Sequence, residues 1–264
     1  LNSDVRVEKG WLKPMLDYMN SHPTTAACQP KIRSEWSPDM LEYAGACGGY
    51  IGRLGFPFCR GRILGTVEHD NGQYDNITTI AWATGASLLI RRDIYLNVGG
   101  LDARFFAHQE EIDLCWRLRS RGYDIVCIPE SVVYHVGGGT LPKESPRKAY
   151  LNFRNNLLLL YKNLPEKQFR TVMFWRRLLD MAAALHFLAG GHWAACRAVI
   201  QAHIDFRRIH KDFQTDRDIN LAATIVPPEQ ILSPINLLWQ YYAKCRHTFN
   251  QLPLKENNTH TDQN

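Results

Sequence analysis

The stretch that decides the fold is residues 82–135, WATGASLLIRRDIYLNVGGLDARFFAHQEEIDLCWRLRSRGYDIVCIPESVVYH. Its opening ATGASLLI (83–90) runs without a charge until Arg91, and its small and branched residues predict a buried strand. Asn97 to Gly100 break the chain. Glu110, Glu111 and Asp113 then crowd into a first helical turn, where unpaired amide protons and the macrodipole favour negative charge. The helix continues through Leu114, Cys115, Trp116 and Leu118, with Arg117, Arg119 and Arg121 towards its far end, and Gly122 stops it. The remainder, YDIVCIPESVVYH, predicts a strand, a proline-containing turn and a second strand ending on His135.

Upstream, Trp11, Leu12, Met15, Leu16 and Met19 recur at helical spacing, with Pro14 tolerable only in a first turn, and TTAACQPKI (24–32) follows as strand. This strand–helix–strand rhythm indicates an α/β layer arrangement. Residues 33–76 are different: they hold glycines at 45, 48, 49, 52, 55, 61, 65 and 72 but neither a P-loop nor a GxGxxG turn, and predict a long loop or short hairpins, with a lid over the site as one role. His69, Asp70 and Asp75 read there as polar surface residues.

A length of 264 residues suits one domain with an appendage, and a composition 45% hydrophobic and 22% charged excludes global disorder. A net charge of +5 allows an anionic partner such as a sugar nucleotide or acidic membrane, but no motif points to nucleic acid. Seven scattered cysteines without a CxxC pair read as free thiols in a reducing compartment.

After His135 come VGGGTLP and a helix over RKAYLNFRNNLLLLYKNL (147–164), on which Arg147, Tyr150 and Arg154 share a face compatible with gripping a diphosphate or with surface salt bridges. Residues 166–213 predict an amphipathic helical hairpin around Gly190-Gly191. Residues 170–213 hold seven Arg or Lys against three Asp, so the expectation is contact with a membrane periphery or packing on the first domain, rather than a span. Residues 214–264 read as a weaker region with a helix near 231–249 and a frayed end.

Acids at strand ends and helix starts, with a histidine beside them, could hold a divalent metal or poise a general base. The hydrolase alternative is disfavoured, since Ser87 sits in GASLL without a nucleophile elbow. Taken together, Asn2-Ser3-Asp4, Gly99-Gly100-Leu101-Asp102, Glu110-Glu111-Ile112-Asp113-Leu114 and Val132–Gly137 (VVYHVG) resemble the family-2 inverting glycosyltransferases of the GT-A fold, in their rhamnosyltransferase-like, cell-surface polysaccharide branch.

The resemblance spans about residues 1–160. It implies an α/β fold: the C-terminal part of a GT-A mixed sheet with flanking helices (1–165), followed by the helical appendage, with an N-terminal nucleotide-binding portion absent and donor binding by the chain alone correspondingly poor. It implies metal-dependent transfer, with Mg2+ or Mn2+, from a nucleotide-diphosphate sugar to a glycan or lipid-linked acceptor on the cytoplasmic side of a membrane. The base falls on Glu111, where the family has aspartate, with Glu110 and Asp113 as alternatives. Asp4 and His135 fall on the metal side, and Arg154 and Arg147 on the donor diphosphate. Other readings are an inactive GT-A remnant acting as a binding or scaffolding protein, and a related nucleotidyltransferase.

Overall fold

In the computed structural model, residues 1–137 and 145–254 are described. Of the glycine turn after His135, only Gly137 falls among them, and the end of the C-terminal tail lies outside them. A mixed sheet is built around two long strands, β2 (Thr25–Ser34) and β9 (Asp124–His135), which run parallel with Gln29 opposite Cys127 and Ser34 opposite His135. Both are almost wholly buried, as strands of a covered parallel pair are, although β2 carries Gln29 and Lys31 inside with it. β1 (Val5–Val7) joins the far end of β9 antiparallel, β7 (Thr78–Thr79) its near end, and β8 (Leu89–Ile90) lines the other side of β2.

The expected break in YDIVCIPESVVYH is a bulge within one strand. Register jumps from Pro30–Ile128 to Lys31–Val132, so residues 129–131 are skipped. Neither Pro30 nor Pro129 has an amide proton to give the ladder, which places the irregularity here. Ser131 uses the gap to donate to the Trp11 carbonyl at 2.6 Å, tying β9 to α1 (Leu12–Ser21).

Residues 83–90 do not form the expected strand; only Leu89 and Ile90 pair. Ala83, Thr84, Ala86 and Ser87 are buried as irregular chain, with Gly85 exposed among them, because side chains complete their hydrogen bonds: Gln29 Oε1 accepts from the Thr84 amide at 3.0 Å, and Thr84 Oγ1 from that of Ala86 at 3.2 Å. α2 (Arg92–Asn97) then leads to the Gly99-Gly100 break, where both residues have positive φ.

Residues 33–76 form short hairpins, β3 (Gly49–Ile51), β4 (Pro57–Cys59), β5 (Arg62–Ile63) and β6 (Thr66–Val67), in a four-stranded antiparallel sheet. This segment is core: Ile51, Phe58, Cys59 and Ile63 are fully buried. Of the polar residues expected at its surface, His69 and Asp75 are exposed, whereas the Asp70 carboxylate is sealed against Lys31 Nζ at 2.9 Å and Arg33 at 2.6 Å. Lys31 lies inside β2, and a cation enclosed there requires a carboxylate beside it. Burial works against the ionised Asp70, but these two cations outweigh it and lower its pKa.

α3 (Glu110–Ser120) packs on β9, and α4 (Pro146–Asn163) packs on α3. α5 (Glu166–Ala189) and α6 (Trp193–Ile209) form the expected hairpin about Gly190-Gly191, and α7 (Gln214–Ala222) packs back on α4. No continuous helix occupies 231–249: Pro234 interrupts it, leaving a short π-helical turn at Trp239–Ala243. The whole is a GT-A-like mixed sheet flanked by helices with a helical C-terminal extension. The cysteines are all free, and burial pushes the Cys115 and Cys127 thiols up to about 12, leaving them unreactive.

Gly49 lies under the Trp82 indole, whose Nε1 donates to the Tyr50 carbonyl at 3.0 Å; a Cβ on Gly49 would sit 2.0 Å from Trp82 Cε2. Gly49→Ala is expected to cost about 1–3 kcal/mol as the indole is displaced, measured by denaturant unfolding, whereas Gly65→Ala, which meets nothing, should be near neutral.

Candidate active site

The first turn of α3 divides its three carboxylates between two environments. Asp113 turns into the core and is fully buried. It accepts from Arg117 Nε at 3.0 Å, Lys162 Nζ at 2.8 Å and Asn163 Nδ2 at 2.9 Å. Lys162 also reaches Asp102 at 2.8 Å, and Arg117 donates to the carbonyls of Val98 and Gly100. With its oxygens held this way, Asp113 joins α3 to α4 and to the Gly99-Gly100 break and is not brought together with Glu110 and Glu111.

Two positions back along the helix, Glu111 faces the other way, its Cβ 3.9 Å from where a Cβ on Gly85 would lie. Part of Glu111 reaches the surface, yet Oε2 of both Glu110 and Glu111 is sealed from solvent with no hydrogen-bond partner. Burial, then the charge of Glu110, pushes the Glu111 carboxyl up to about 8, although first-turn backbone amides pull the other way. Burial raises Glu110 as well. Desolvation is the larger cause at Glu111, and Asp113 takes no part.

The loop feeding this turn is strained. Phe106, His108 and Gln109 have φ of 68°, 67° and 73°, a region uncommon for residues with a Cβ. Asn155 holds it there, its Nδ2 donating to the carbonyls of Phe105, Ala107 and His108 at 3.0, 2.8 and 2.7 Å. Asn156 donates to Gln109 Oε1 at 2.9 Å, and Arg154 to the Phe105 carbonyl at 3.0 Å and to Asn155 Oδ1. The contacts of Arg154 are thus with Tyr150, Asn155 and the loop that leads into Glu110 and Glu111. Arg147 is exposed, with its guanidinium 4.9 Å from the Phe106 ring centroid.

Asp4 and His135 do meet. β1 pairs with the end of β9, the Val136 amide donates to the Asp4 carbonyl at 3.1 Å, and His135 Nε2 lies 3.3 Å from Asp4 Oδ2. The other ring nitrogen, Nδ1, lies 3.4 Å from Glu42 Oε2 without the alignment of a hydrogen bond. Burial disfavours the imidazolium, but Glu42 and Asp4 together outweigh it and raise the His135 pKa. Glu42 carries no motif in LEYAGA, so the sequence offers no signal for it. It becomes visible only where the chain folds back over β2, with its amide on the Ile32 carbonyl at 2.9 Å.

Gly85 and Ala86 lie between the two acidic groups: Gly85 beside Glu111, and the Ala86 carbonyl accepting from the Asn2 amide at 2.9 Å, two residues before Asp4. Glu42 and Glu111 also share a neighbour, since both charges act on the buried Cys59 thiol.

Among the described residues no group of three or more His, Cys, Asp or Glu is placed to hold a metal ion. Asp4 offers one carboxylate, and His135, biased by two carboxylates towards its protonated form, is a poor ligand. These residues alone do not fit a resident Mg2+ or Mn2+.

No protein-family model matches the chain. Over 141 residues, 51% of its length, it is 31% identical to N-acetylglucosaminyl-diphospho-decaprenol L-rhamnosyltransferase of Mycobacterium tuberculosis, of which it covers 45%. Over 136 residues, again 51% of its length, it is 26% identical to the O-antigen biosynthesis protein RfbC of Myxococcus xanthus, covering 10% of that protein. A crystal structure of GalNAc-T7 with UDP, GalNAc and Mn2+ overlaps 61% of this chain and 30% of that one, at 13% identity and a TM-score of 0.43. The chain therefore spans less than half the length of these curated relatives. Over about half of its length the chain is thus similar to proteins named for rhamnosyl transfer and for O-antigen biosynthesis.

Proposed function

We propose that this chain carries the catalytic and acceptor side of an inverting glycosyltransferase. The reaction moves a sugar from a nucleotide-diphosphate sugar to a hydroxyl of a glycan or lipid-linked acceptor in cell-surface polysaccharide synthesis, on the cytoplasmic face of a membrane. The observation that carries this reading is Glu111: a carboxylate with a sealed, unpartnered oxygen and a pKa pushed up to about 8, beside a strained loop. A base titrating near neutrality can take a proton from a hydroxyl and still be regenerated.

In the proposed step Glu111 removes the acceptor hydroxyl proton as that oxygen attacks the anomeric carbon. The bond from that carbon to the diphosphate breaks on the opposite face, and the nucleoside diphosphate leaves with the electron pair. Glu110 keeps the base poised through its charge. Against the pull of burial, Glu42 and Asp4 raise the His135 pKa and so favour the imidazolium, and Arg147 presents an exposed guanidinium; these are the chain's candidates to meet the diphosphate as it gathers negative charge. Nucleotide-sugar diphosphates often carry a divalent ion of their own. That ion would add charge neutralisation on the donor, but the chain does not complete its coordination.

Glu111→Gln should lower kcat about 100-fold or more in the complete protein with its nucleotide-sugar donor, while leaving acceptor KM and the far-UV spectrum nearly unchanged. Retained turnover would sink the assignment. In the unaltered enzyme kcat/KM should rise with pH and level off above about pH 8.

Stability should move in the opposite sense. The folded pKa lies above the ordinary value of 4.5, so between about pH 4.5 and 8 the folded state keeps a proton that the unfolded chain releases. This contribution is complete below pH 4.5 and fades by up to about 1.4 kcal/mol per pH unit as pH rises. Glu111→Gln removes the fade, so its stability advantage over the parent should widen from pH 5 to pH 8 in urea titrations.

A further inference from the structure

The outer surface of the C-terminal hairpin inverts the usual pattern. On α5, Phe174, Leu178, Met181 and Leu185 follow one another at spacings of four, three and four, which places them on one stripe. They are 56, 52, 48 and 58% exposed. The opposite side of the same helix, with Val172, Met173, Arg176, Asp180 and Ala184, is the buried one. On α6 the exposed stripe is Trp193, Ile200 and Ile204, with Trp193 at 71%. Scattered apolar residues at a surface need no explanation, but two aligned stripes on adjacent helices do.

Beyond Glu166, which opens α5 and pairs with Arg170 at 2.7 Å, the exposed charge on these helices is positive, and Arg208 lies 3.6 Å from Asp205. Arg170, Arg177, Arg197, Arg207 and Arg208 are exposed. From residue 167 to residue 209 the carboxylates are Asp180 and Asp205, and neither is exposed. Asp180 is buried against Arg176 at 3.2 Å and His203 at 3.0 Å, and Asp205 accepts from Tyr150 and Gln201. Arg177, Arg197 and Arg207 have no ion-pair partner among the described residues. By helical spacing Arg170 and Arg177 flank the α5 stripe, and Arg197, Arg207 and Arg208 border that of α6. No described helix is long and apolar enough to cross a membrane.

We propose that the outward faces of α5 and α6 bind an anionic lipid surface, the apolar stripes entering the headgroup–acyl boundary and the flanking arginines meeting lipid phosphates. Charge complementarity selects this occupant over a second copy of the chain, which would bring the same unpaired arginines face to face. Trp193, at the start of α6 beside the hairpin turn, has the amphipathic ring that settles at such a boundary. The binding stands on the hairpin alone. The transferase reading adds its purpose, because a lipid-linked acceptor offers its hydroxyl at the same surface.

The test is co-sedimentation of the full 264-residue chain with vesicles of phosphatidylcholine alone or mixed with phosphatidylglycerol. Binding should be about tenfold or more stronger on the anionic vesicles and weaken at high salt. The double variant Leu178→Glu/Leu185→Glu should lose binding to both, with unchanged Tm and circular dichroism. The triple variant Arg177→Gln/Arg197→Gln/Arg207→Gln should lose the preference for phosphatidylglycerol while staying folded. No sedimentation with either vesicle, or equal binding to both that ignores the arginines, overturns the proposal. A dimer of the parent chain in analytical ultracentrifugation that the leucine variant abolishes also overturns it, assigning the stripes to a second copy. None of these readouts needs donor or turnover, so failure here leaves the transferase reading intact, and an inactive enzyme that still binds vesicles separates the two the other way.

Discussion

A carboxylate sealed inside the protein cannot stay there unless cations and donors surround it, and Asp113 is such a group. Its bonds to Arg117, Lys162 and Asn163 fix the rotation of α3 about its own axis and its docking on α4. Two residues apart on a helix is close to half a turn, so anchoring Asp113 inward sends Glu111 to the far side. The same network reaches Asp102 through Lys162 and the Gly99-Gly100 break through Arg117, so one buried acid sets the helix, the loop before it and the direction of the candidate base. Removing a single partner would leave an uncompensated charge inside, a larger disturbance than the worth of any one of these bonds.

The site built on this anchor carries costs of its own. Three residues in four between 106 and 109 sit at positive φ, and Glu111 keeps a sealed oxygen without a donor. Asn155 and Asn156 supply the restraint, turning the side-chain amides of α4 into stand-ins for backbone partners that the loop lacks. Strain and desolvation concentrated at one spot, with compensation from a neighbouring helix, is the pattern expected where chemistry has overridden stability.

Much of this was legible in the residues. Helical periodicity placed α1, α3, α4 and the hairpin, and the glycine breaks fell where the backbone needs positive φ. The failures have definite physical reasons. Residues 83–90 look like a strand by composition, but Gln29 and Thr84 satisfy their amides from the side, and nothing local encodes a partner 55 residues away. Residues 33–76 are too rich in glycine to show a period, yet their apolar side chains complete the core once Trp82 lies over Gly49. Within the site, the placing of Asp4 with His135 came from the family resemblance, because spacing alone does not bring residues so far apart in sequence together. Glu42 could not be foreseen, since only the fold carries it to the other face of the imidazole. The separation of Asp113 from Glu111 was in principle available from helix geometry, but which acid turned inward depended on Lys162, far along the chain.

The sheet's two central strands also impose an order on assembly. β2 finds its parallel partner only in β9, and residues 35–123 intervene. During synthesis the first strand therefore emerges long before the second, with Ala26, Ala27, Cys28 and Ile32 uncovered and only α1 and the short edge strands to shield them. Pairings of such high sequence separation form slowly and leave apolar edges open to other chains. The nascent chain should thus depend on a holding chaperone until residue 135 has cleared the ribosome. The acidic turn of α3 is then fixed late, as β9, α3 and α4 close over a strand already made.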